Sequence, residues 1–151
     1  MFCPSVGASG GILLVWNAAL WVKLDEHLGR YSVSALLRDV RCGAVWVVTL
    51  VYGPNHSSDN NNKAFLGEIN QVAGLWSHPW VIGGDFNVIR FPHEKKGCCS
   101  ISPAMREFND WINFHDIVDL PLRCAKFTWS NLQETPEMSR LDHFFSFESF
   151  D

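Results

Sequence analysis

Hydrophobic and polar residues alternate with a period of two in the first third of the chain. Residues 20–25 and 33–37 alternate in this way, and each predicts a strand. Two apolar runs, residues 12–16 and 44–52, the second of which contains Thr49, predict buried strands. The second run is rich in β-branched and aromatic residues, which favour sheets, and Gly53-Pro54 marks its end.

The period then changes to that of a helix. Apolar residues fall at helical spacing from Phe65 to Trp76, and Pro79 is expected to end this first helix. A second helix is predicted to begin at Ser102-Pro103, because serine suits the N-cap and proline the first helical position. Its apolar stripe comprises Met105, Phe108, Ile112 and His115.

Short strands complete the pattern. One is predicted at residues 80–82, ended by Gly83-Gly84, and two more at residues 126–130 and 140–145. Strands followed by alternating helices and strands predict an α/β fold with a mixed sheet. We expect two packed mixed sheets flanked by helices.

Composition narrows the class of protein. The chain has 151 residues, 47% of them hydrophobic and 19% charged, which fits one ordinary domain and excludes disorder. No apolar run approaches the ~20 residues of a membrane helix. The net charge of −4 excludes attachment to DNA by bulk charge alone. Five cysteines without a C-x-x-C pair and a start unlike a signal peptide predict an intracellular setting, in the nucleus or the cytoplasm.

The most informative segment is residues 80–89, WVIGGDFNVI. Asp85 and Asn87 follow the apolar strand, and on an extended backbone residues two apart project to the same side. A carboxylate and an amide there could orient a water or complete a magnesium shell. The alternative is a plain turn, since Gly, Asp and Asn are all turn residues.

Two further segments carry candidate groups at strand ends. Tyr52 and Asn55 lie in LVYGPN, where the tyrosine could donate to a phosphoryl oxygen or could simply be an edge residue exposed to water. Asp142 lies in SRLDHFF, inside an otherwise apolar strand, where a charge needs a partner or a cation. Arg140, on the same side, is one possible partner, and a cleft shared with Asp85 is the other possibility.

These motifs, in this order, resemble a known group of enzymes. GGDFN, VYGPN and SRLDHF, with GGILLVWN near the start, are similar to motifs of the endonuclease/exonuclease/phosphatase superfamily. The closest likeness is to the apurinic-type endonuclease domain of plant LINE retroelements. The resemblance implies a four-layer α/β sandwich and hydrolysis of a phosphodiester, with DNA as the expected partner and magnesium or manganese as cofactor.

The resemblance also implies roles for individual residues. Asp85 would bind the metal and, with Asn87, activate the attacking water. Tyr52 and Asn55 would contact the scissile phosphate, and Asp142 would orient a catalytic histidine. Two further residues would lie near the DNA, namely Thr128 and Trp129.

The family pattern contains more than these motifs. It includes an earlier strand with a metal-binding Glu and a final strand with an Asp-His pair, and neither is recognised in this chain. His143 does not replace that histidine, because neighbours on a strand point to opposite faces. We therefore expect residues 1–151 to form one partial domain, truncated at both ends and without activity. The alternatives are a non-catalytic binding module and a phosphatase-type relative.

A basic cluster follows the GGDFN motif. Arg90, Lys95 and Lys96 could contact DNA phosphates, although a short charged run of this kind is more often a solvated loop. Residues 12–16 are expected to present an uncovered strand edge, which favours self-association.

Overall fold

The structure is a computed structural model, and it describes residues 1–5, 10–55 and 59–147. The helices are α1 (Asp59–Ala73) and α2 (Pro103–Phe114). The main sheet has six strands: β3 (Trp21–Leu28), β4 (Ser32–Asp39), β5 (Val45–Tyr52), β6 (Trp80–Asp85), β7 (Ile117–Asp119) and β10 (Asp142–Phe147). Two small sheets pair β1 (Phe2–Cys3) with β2 (Ile12–Leu13), and β8 (Trp129–Ser130) with β9 (Met138–Ser139).

The main sheet is mixed, in the spatial order β3-β4-β5-β6-β10-β7. Its one parallel pair is β5–β6, and helix α1 supplies the crossover that a parallel pair requires. All other neighbours are antiparallel. The carboxyl ends of β5 and β6 and the start of β10 therefore meet at one end of the sheet.

Both helices pack on the same face of the sheet. Phe65 and Ile69 of α1 and Phe108 of α2 share one core with Val47 and Ile82 of the central strands. The opposite face has a smaller core, formed by Val33, Ala35 and Leu37 with Ile12 and Leu14. The predicted α/β class with a mixed sheet is confirmed, and small two-stranded sheets take the place of the expected second large sheet.

Most predicted strands are present with shifted ends. The runs at residues 20–25, 33–37 and 44–52 correspond to β3, β4 and β5. The runs at 12–16 and 126–130 keep only two strand residues each, and the run at 140–145 starts later, as β10. The sequence pattern missed β1, β7 and β9, which are too short to show a period.

The prediction that Gly83 and Gly84 end the strand is wrong, because both lie inside β6. A Cβ on Gly83 would lie 2.4 Å from the ring of Phe144, and one on Gly84 would lie 2.3 Å from the carbonyl oxygen of Val51. The glycines allow neighbouring groups to pack closely over the strand. Gly84 also has a φ of 131°, which other residues rarely adopt.

The first helix is shorter than predicted. It ends at Ala73, ahead of Gly74 and well before Pro79, so Trp76 lies outside it. The Trp76 indole instead donates a hydrogen bond to Asp25 on β3. The second helix begins as predicted, with the Ser102 hydroxyl accepting from the backbone N–H of Met105 at 3.2 Å.

None of the helices in the described part of the chain is long and apolar enough to cross a membrane. The five cysteines are all free.

Candidate active site

Strand pairing brings three predicted site residues together. In the parallel β5–β6 pair, Tyr52 lies beside Asp85, and in the antiparallel β6–β10 pair, Asp85 lies opposite Asp142. Paired residues of neighbouring strands project to the same face of a sheet. Tyr52 packs against the smaller core, so this shared face is the one opposite the helices.

Asn87 joins the two loops that follow β5 and β6. Its side-chain amide donates to the carbonyl oxygen of Gly53 and to Oδ1 of Asn55, both at 2.8 Å. Its backbone N–H donates to Oδ1 of Asp85, also at 2.8 Å. The expectation of an extended backbone here is wrong, because Asn87 has a φ of 52°. A left-handed turn, which asparagine tolerates, is what places Asn87 beside Asp85.

The two aspartates form an acidic pair. Burial raises the pKa of the Asp85 carboxyl, and the charge of Asp142 raises it further, while the hydrogen bond from Asn87 and the nearby His143 act in the opposite direction. A half-buried carboxylate beside a second one tends either to take up a proton or to bind a cation. The donor set, two carboxylates with an amide and a phenol close by, suits a hard divalent ion such as Mg²⁺.

A groove of about 700 Å³ opens at this end of the sheet. Six of the predicted site residues line it, namely Tyr52, Asn55, Asp85, Asn87, Lys95 and Trp129. Asp142 is not among the residues that line the groove, although it lies opposite Asp85 on the neighbouring strand. Thr128, Arg90 and Lys96 do not line the groove.

Thr128 positions a strand and does not face the groove. Its hydroxyl oxygen accepts from the backbone N–H groups of Leu141 at 3.0 Å and Asp142 at 3.1 Å. These bonds fix the start of β10 and with it the Asp142 side chain. Thr128 therefore supports an acidic residue, and because it is itself exposed, its place near the DNA stays a prediction.

Of the predicted basic cluster, only Lys95 lines the groove. Its ammonium lies 4.0 Å from the exposed carboxylate of Glu137, and it stays accessible to solvent. Arg90 is largely buried and donates to Asn109 and Asp119 at 3.0 and 3.1 Å, so its predicted contact with a phosphate is wrong. Lys96 is held through its backbone N–H, which donates to the carbonyl oxygen of Met138.

Arg90 belongs to a buried ion network, which is formed by Arg90, Glu94, Asp119, Arg140 and His143. Arg140 bridges Glu94 at 3.3 Å and Asp119 at 2.9 Å, so of the two alternatives for Asp142 the pairing with Arg140 is wrong, and Asp142 lies opposite Asp85. The fully buried His143 contacts Asp119 at 3.2 Å. Burial alone would raise the pKa of Asp119, but the hydrogen bonds and charges of His143 and the two arginines lower it overall.

Three members of this network, Glu94, Asp119 and His143, are close enough to hold a metal ion. The two arginines already balance the two carboxylates at distances of 2.9–3.3 Å. A buried cation placed there would lie next to two guanidinium groups, and that repulsion disfavours it. The network therefore serves as a structural clamp on the far side of the sheet from Asp85.

The groove also contains two residues at helix starts that the sequence analysis did not propose for the site. Asn62, in the first turn of α1, and Ser102, the N-cap of α2, both line it. Ligand sites of α/β sheets lie at the carboxyl ends of strands, where the following helices begin. That rule is the signal that would have identified both residues.

Known structures share this fold. The endonuclease domain of TRAS1, a telomere-specific non-LTR retrotransposon, superposes with a TM-score of 0.65 and 13% identity over 89% of this chain and 58% of that one. A mannosyl-6-phosphatase from Bacteroides thetaiotaomicron gives a TM-score of 0.56, 11% identity and coverage of 89% and 55%. The human Nocturnin catalytic domain gives 0.56, 9% identity and coverage of 87% and 50%.

The chain thus has the fold of the endonuclease/exonuclease/phosphatase proteins, which confirms that expectation. It spans 50–58% of the length of these structures. No family model matches the sequence, and no curated protein matches it either.

Proposed function

We propose that the groove binds a divalent cation, magnesium or manganese, together with a phosphodiester of nucleic acid, as in a retroelement-type endonuclease. The observation that carries this proposal is the pairing of Asp85 with Asp142 at the strand ends. Burial and mutual repulsion make an ionised pair costly without a counter-ion, and a bound cation removes that cost.

Six residues at this end of the sheet have a role in this proposal. Asp85 holds the cation, and Asp142 shares its charge from the neighbouring strand. Asn87 keeps the Asp85 carboxylate in place through its backbone N–H and ties down the loop that carries Asn55. Tyr52 donates a hydrogen bond from its hydroxyl to a phosphoryl oxygen, and Lys95 offsets phosphate charge at the rim. A metal bound here would polarise the phosphate and lower the pKa of a bound water.

Hydrolysis by this groove is expected to be slow. Among the described residues, no histidine lines it, so none of them is placed to act as the acid–base group that the resemblance implies. Loss of a positioned general acid or base typically costs ~10²–10⁴-fold in rate. We therefore propose binding of metal and phosphodiester with turnover close to background.

Calorimetric titration with Mn²⁺ tests the metal site. The wild-type chain should bind Mn²⁺, and Asp85→Asn should abolish that binding. Asp110→Asn is the matched control, because it removes the same charge from an exposed position on α2. The metal site is wrong if wild type gives no heat of binding, an outcome that favours the non-catalytic module, or if both variants lose binding equally.

Nicking of supercoiled plasmid DNA with Mg²⁺ tests the proposed lack of turnover. Wild type and Asp85→Asn should produce the same low background. Nicking that depends on both Mg²⁺ and Asp85 would overturn the inactivity while supporting the metal site. Release of phosphate from a sugar phosphate, with no effect on DNA, would favour the phosphatase-type alternative.

A further inference from the structure

Strand β3 forms one edge of the main sheet. In the described part of the chain it pairs only with β4, so the backbone N–H and C=O groups along its outer side have no strand partner there. It has eight residues, whereas β7, at the other edge of the sheet, has three. An edge of this length is a template for pairing with a further strand.

The same strand exposes aliphatic side chains to solvent. All residues from 22 to 26 are exposed, and so is Leu28. Val22 is 39% exposed, Leu24 45% and Leu28 55%. Strand β3 therefore combines an unpaired backbone edge with apolar surface that cross-strand neighbours would partly cover.

A β-bulge sets the direction of the charged side chains on β3. Lys23 lies beside Leu37 of β4 and Glu26 lies beside Ala35, with the register shifting between Lys23 and Asp25. Because Leu37 and Ala35 are two residues apart on β4, they share one face of the sheet. Lys23 and Glu26 consequently share that face and form an ion pair, whereas on a regular strand residues three apart point to opposite faces.

The order of side chains on β3 is complementary to itself. When two copies of the strand run antiparallel with their bulges side by side, Lys23 of each copy faces Glu26 of the other. Trp21 of each copy then faces Leu28. All four residues lie on one face of the sheet, as cross-strand neighbours must. Charges that would oppose an unrelated strand thus become two ion pairs between copies.

The bulge favours a second copy of this chain over a different strand. A bulge bends its strand and increases the local twist, so a regular strand cannot follow this edge over its whole length. A second β3 has the same bend at the same position. The two bulges meet at the centre of the pairing, and the segments on either side stay in register.

We propose that two copies of this chain associate through β3, antiparallel and related by a two-fold axis, with Lys23 paired to Glu26 across the interface. The two main sheets then form one continuous sheet with six strands from each copy. The contact uses the same surface on both copies, so it closes at a dimer. No described residue of β3 lines the groove, and the dimer therefore leaves the groove open.

Sedimentation equilibrium at low salt tests this interface by charge reversal. All chains carry Val15→Lys, which adds charge at an exposed apolar residue beside the smaller core and limits association through that face. This parent chain should dimerise. Lys23→Glu or Glu26→Lys alone should weaken dimerisation roughly tenfold or more, because each places like charges opposite one another at two points.

Mixing the two variants separates the contact from any effect on folding. Each variant loses the exposed ion pair within its own strand, which contributes little to stability. An equimolar mixture should nevertheless dimerise, since one edge then carries two acidic groups and its partner two basic ones. Lys126→Glu, at an exposed position outside β3, changes the net charge as Lys23→Glu does and should dimerise as the parent chain does.

Four results would overturn the proposed interface. They are a parent chain that is monomeric at all concentrations, undiminished dimerisation of Lys23→Glu, a mixture that stays monomeric, and an equal loss in Lys126→Glu.

Discussion

The carboxylate of Asp85 is placed where its charge is unfavourable. It is half-buried, and it lies opposite Asp142 on the adjacent strand. Its burial and the charge of Asp142 both raise its pKa. Binding sites commonly keep groups that destabilise the folded chain. The charge of Asp85 should therefore lower the stability of the folded chain, and a variant without that charge should be more stable.

Asp85→Asn is expected to raise the thermal midpoint at pH 7. The pKa of Asp85 is higher in the folded than in the unfolded chain, so its contribution to stability is greatest at low pH and declines as the pH rises through the folded value. The gain from Asn should thus vanish as the pH falls toward 4. Each kcal/mol regained moves the midpoint of a chain this size by about 2–4 °C.

Scanning calorimetry at pH 7 and pH 4 measures this effect, with Asp110→Asn as the control for loss of a surface charge. An equal shift at both pH values, or a lower midpoint at pH 7, would show that Asp85 is not under electrostatic strain.

Arg140 illustrates the opposite arrangement, in which a buried charge faces two carboxylates. Replacing it with Met leaves Glu94, which is 3% exposed, and Asp119 without a shared partner. Removing one partner of a buried ion pair typically costs ~3–5 kcal/mol. Urea denaturation should show a loss of that order for Arg140→Met and a change within about 0.5 kcal/mol for the exposed control Arg123→Met.

The network also predicts coupling between its members. Adding Glu94→Gln to Arg140→Met should recover part of the lost stability, because it removes one of the two carboxylate charges that lost Arg140 as a partner. Strictly additive losses in the double variant would mean that Arg140 acts through packing alone.

At the scale of elements, periodicity located the long strands and both helices but not their ends. β4 and β5 have eight residues each and a clear pattern, whereas β7 and β9 have three and two and show none. The end of β6 was predicted wrongly because the turn propensity of glycine takes no account of what packs over a strand. In β6 the Phe144 ring packs over Gly83.

The candidate site was predictable where it depends on strand order. Tyr52, Asp85 and Asp142 meet because their strands are neighbours, and the resemblance carried by the three motifs is what implied that they share one site. The partners of Arg90 and Arg140 depend on Glu94 and Asp119, which come from a short 3-10 turn and a three-residue strand without sequence signals. Contacts between such distant, irregular segments have no local pattern.

The start of α2 offers a test at this scale. Ser102→Ala removes the hydroxyl that accepts from Met105, and loss of an N-cap of this kind costs about 1 kcal/mol. Ser100→Ala, two residues earlier and also exposed, is the control and should be neutral. Equal urea midpoints for the two variants would show that the cap contributes nothing.

At the scale of the whole molecule, the two faces of the sheet are covered unequally. Two helices cover one face, while β1 and β2 cover only part of the other. Large apolar side chains are exposed around that smaller layer, including Leu13 at 66%, Val15 at 75% and Phe144 at 52%. Exposed apolar patches of this kind favour association.

We accordingly expect concentration-dependent self-association in light scattering. Val15→Lys, within the segment where an uncovered edge was predicted, should reduce it. Leu132→Lys, at 89% exposure in the loop between β8 and β9, serves as a control away from this layer and should have no effect. A monodisperse monomer at high concentration would count against the expectation.

The close approach of the Val51 carbonyl to Gly84 has a consequence for how this sequence can diverge. A side chain of any size at that position would force the two parallel central strands apart and misalign Tyr52 with Asp85. Gly67, on α1, faces open space and can be replaced freely. Substitutions should thus be tolerated at Gly67 but not at Gly84, which directly precedes Asp85 of the acidic pair.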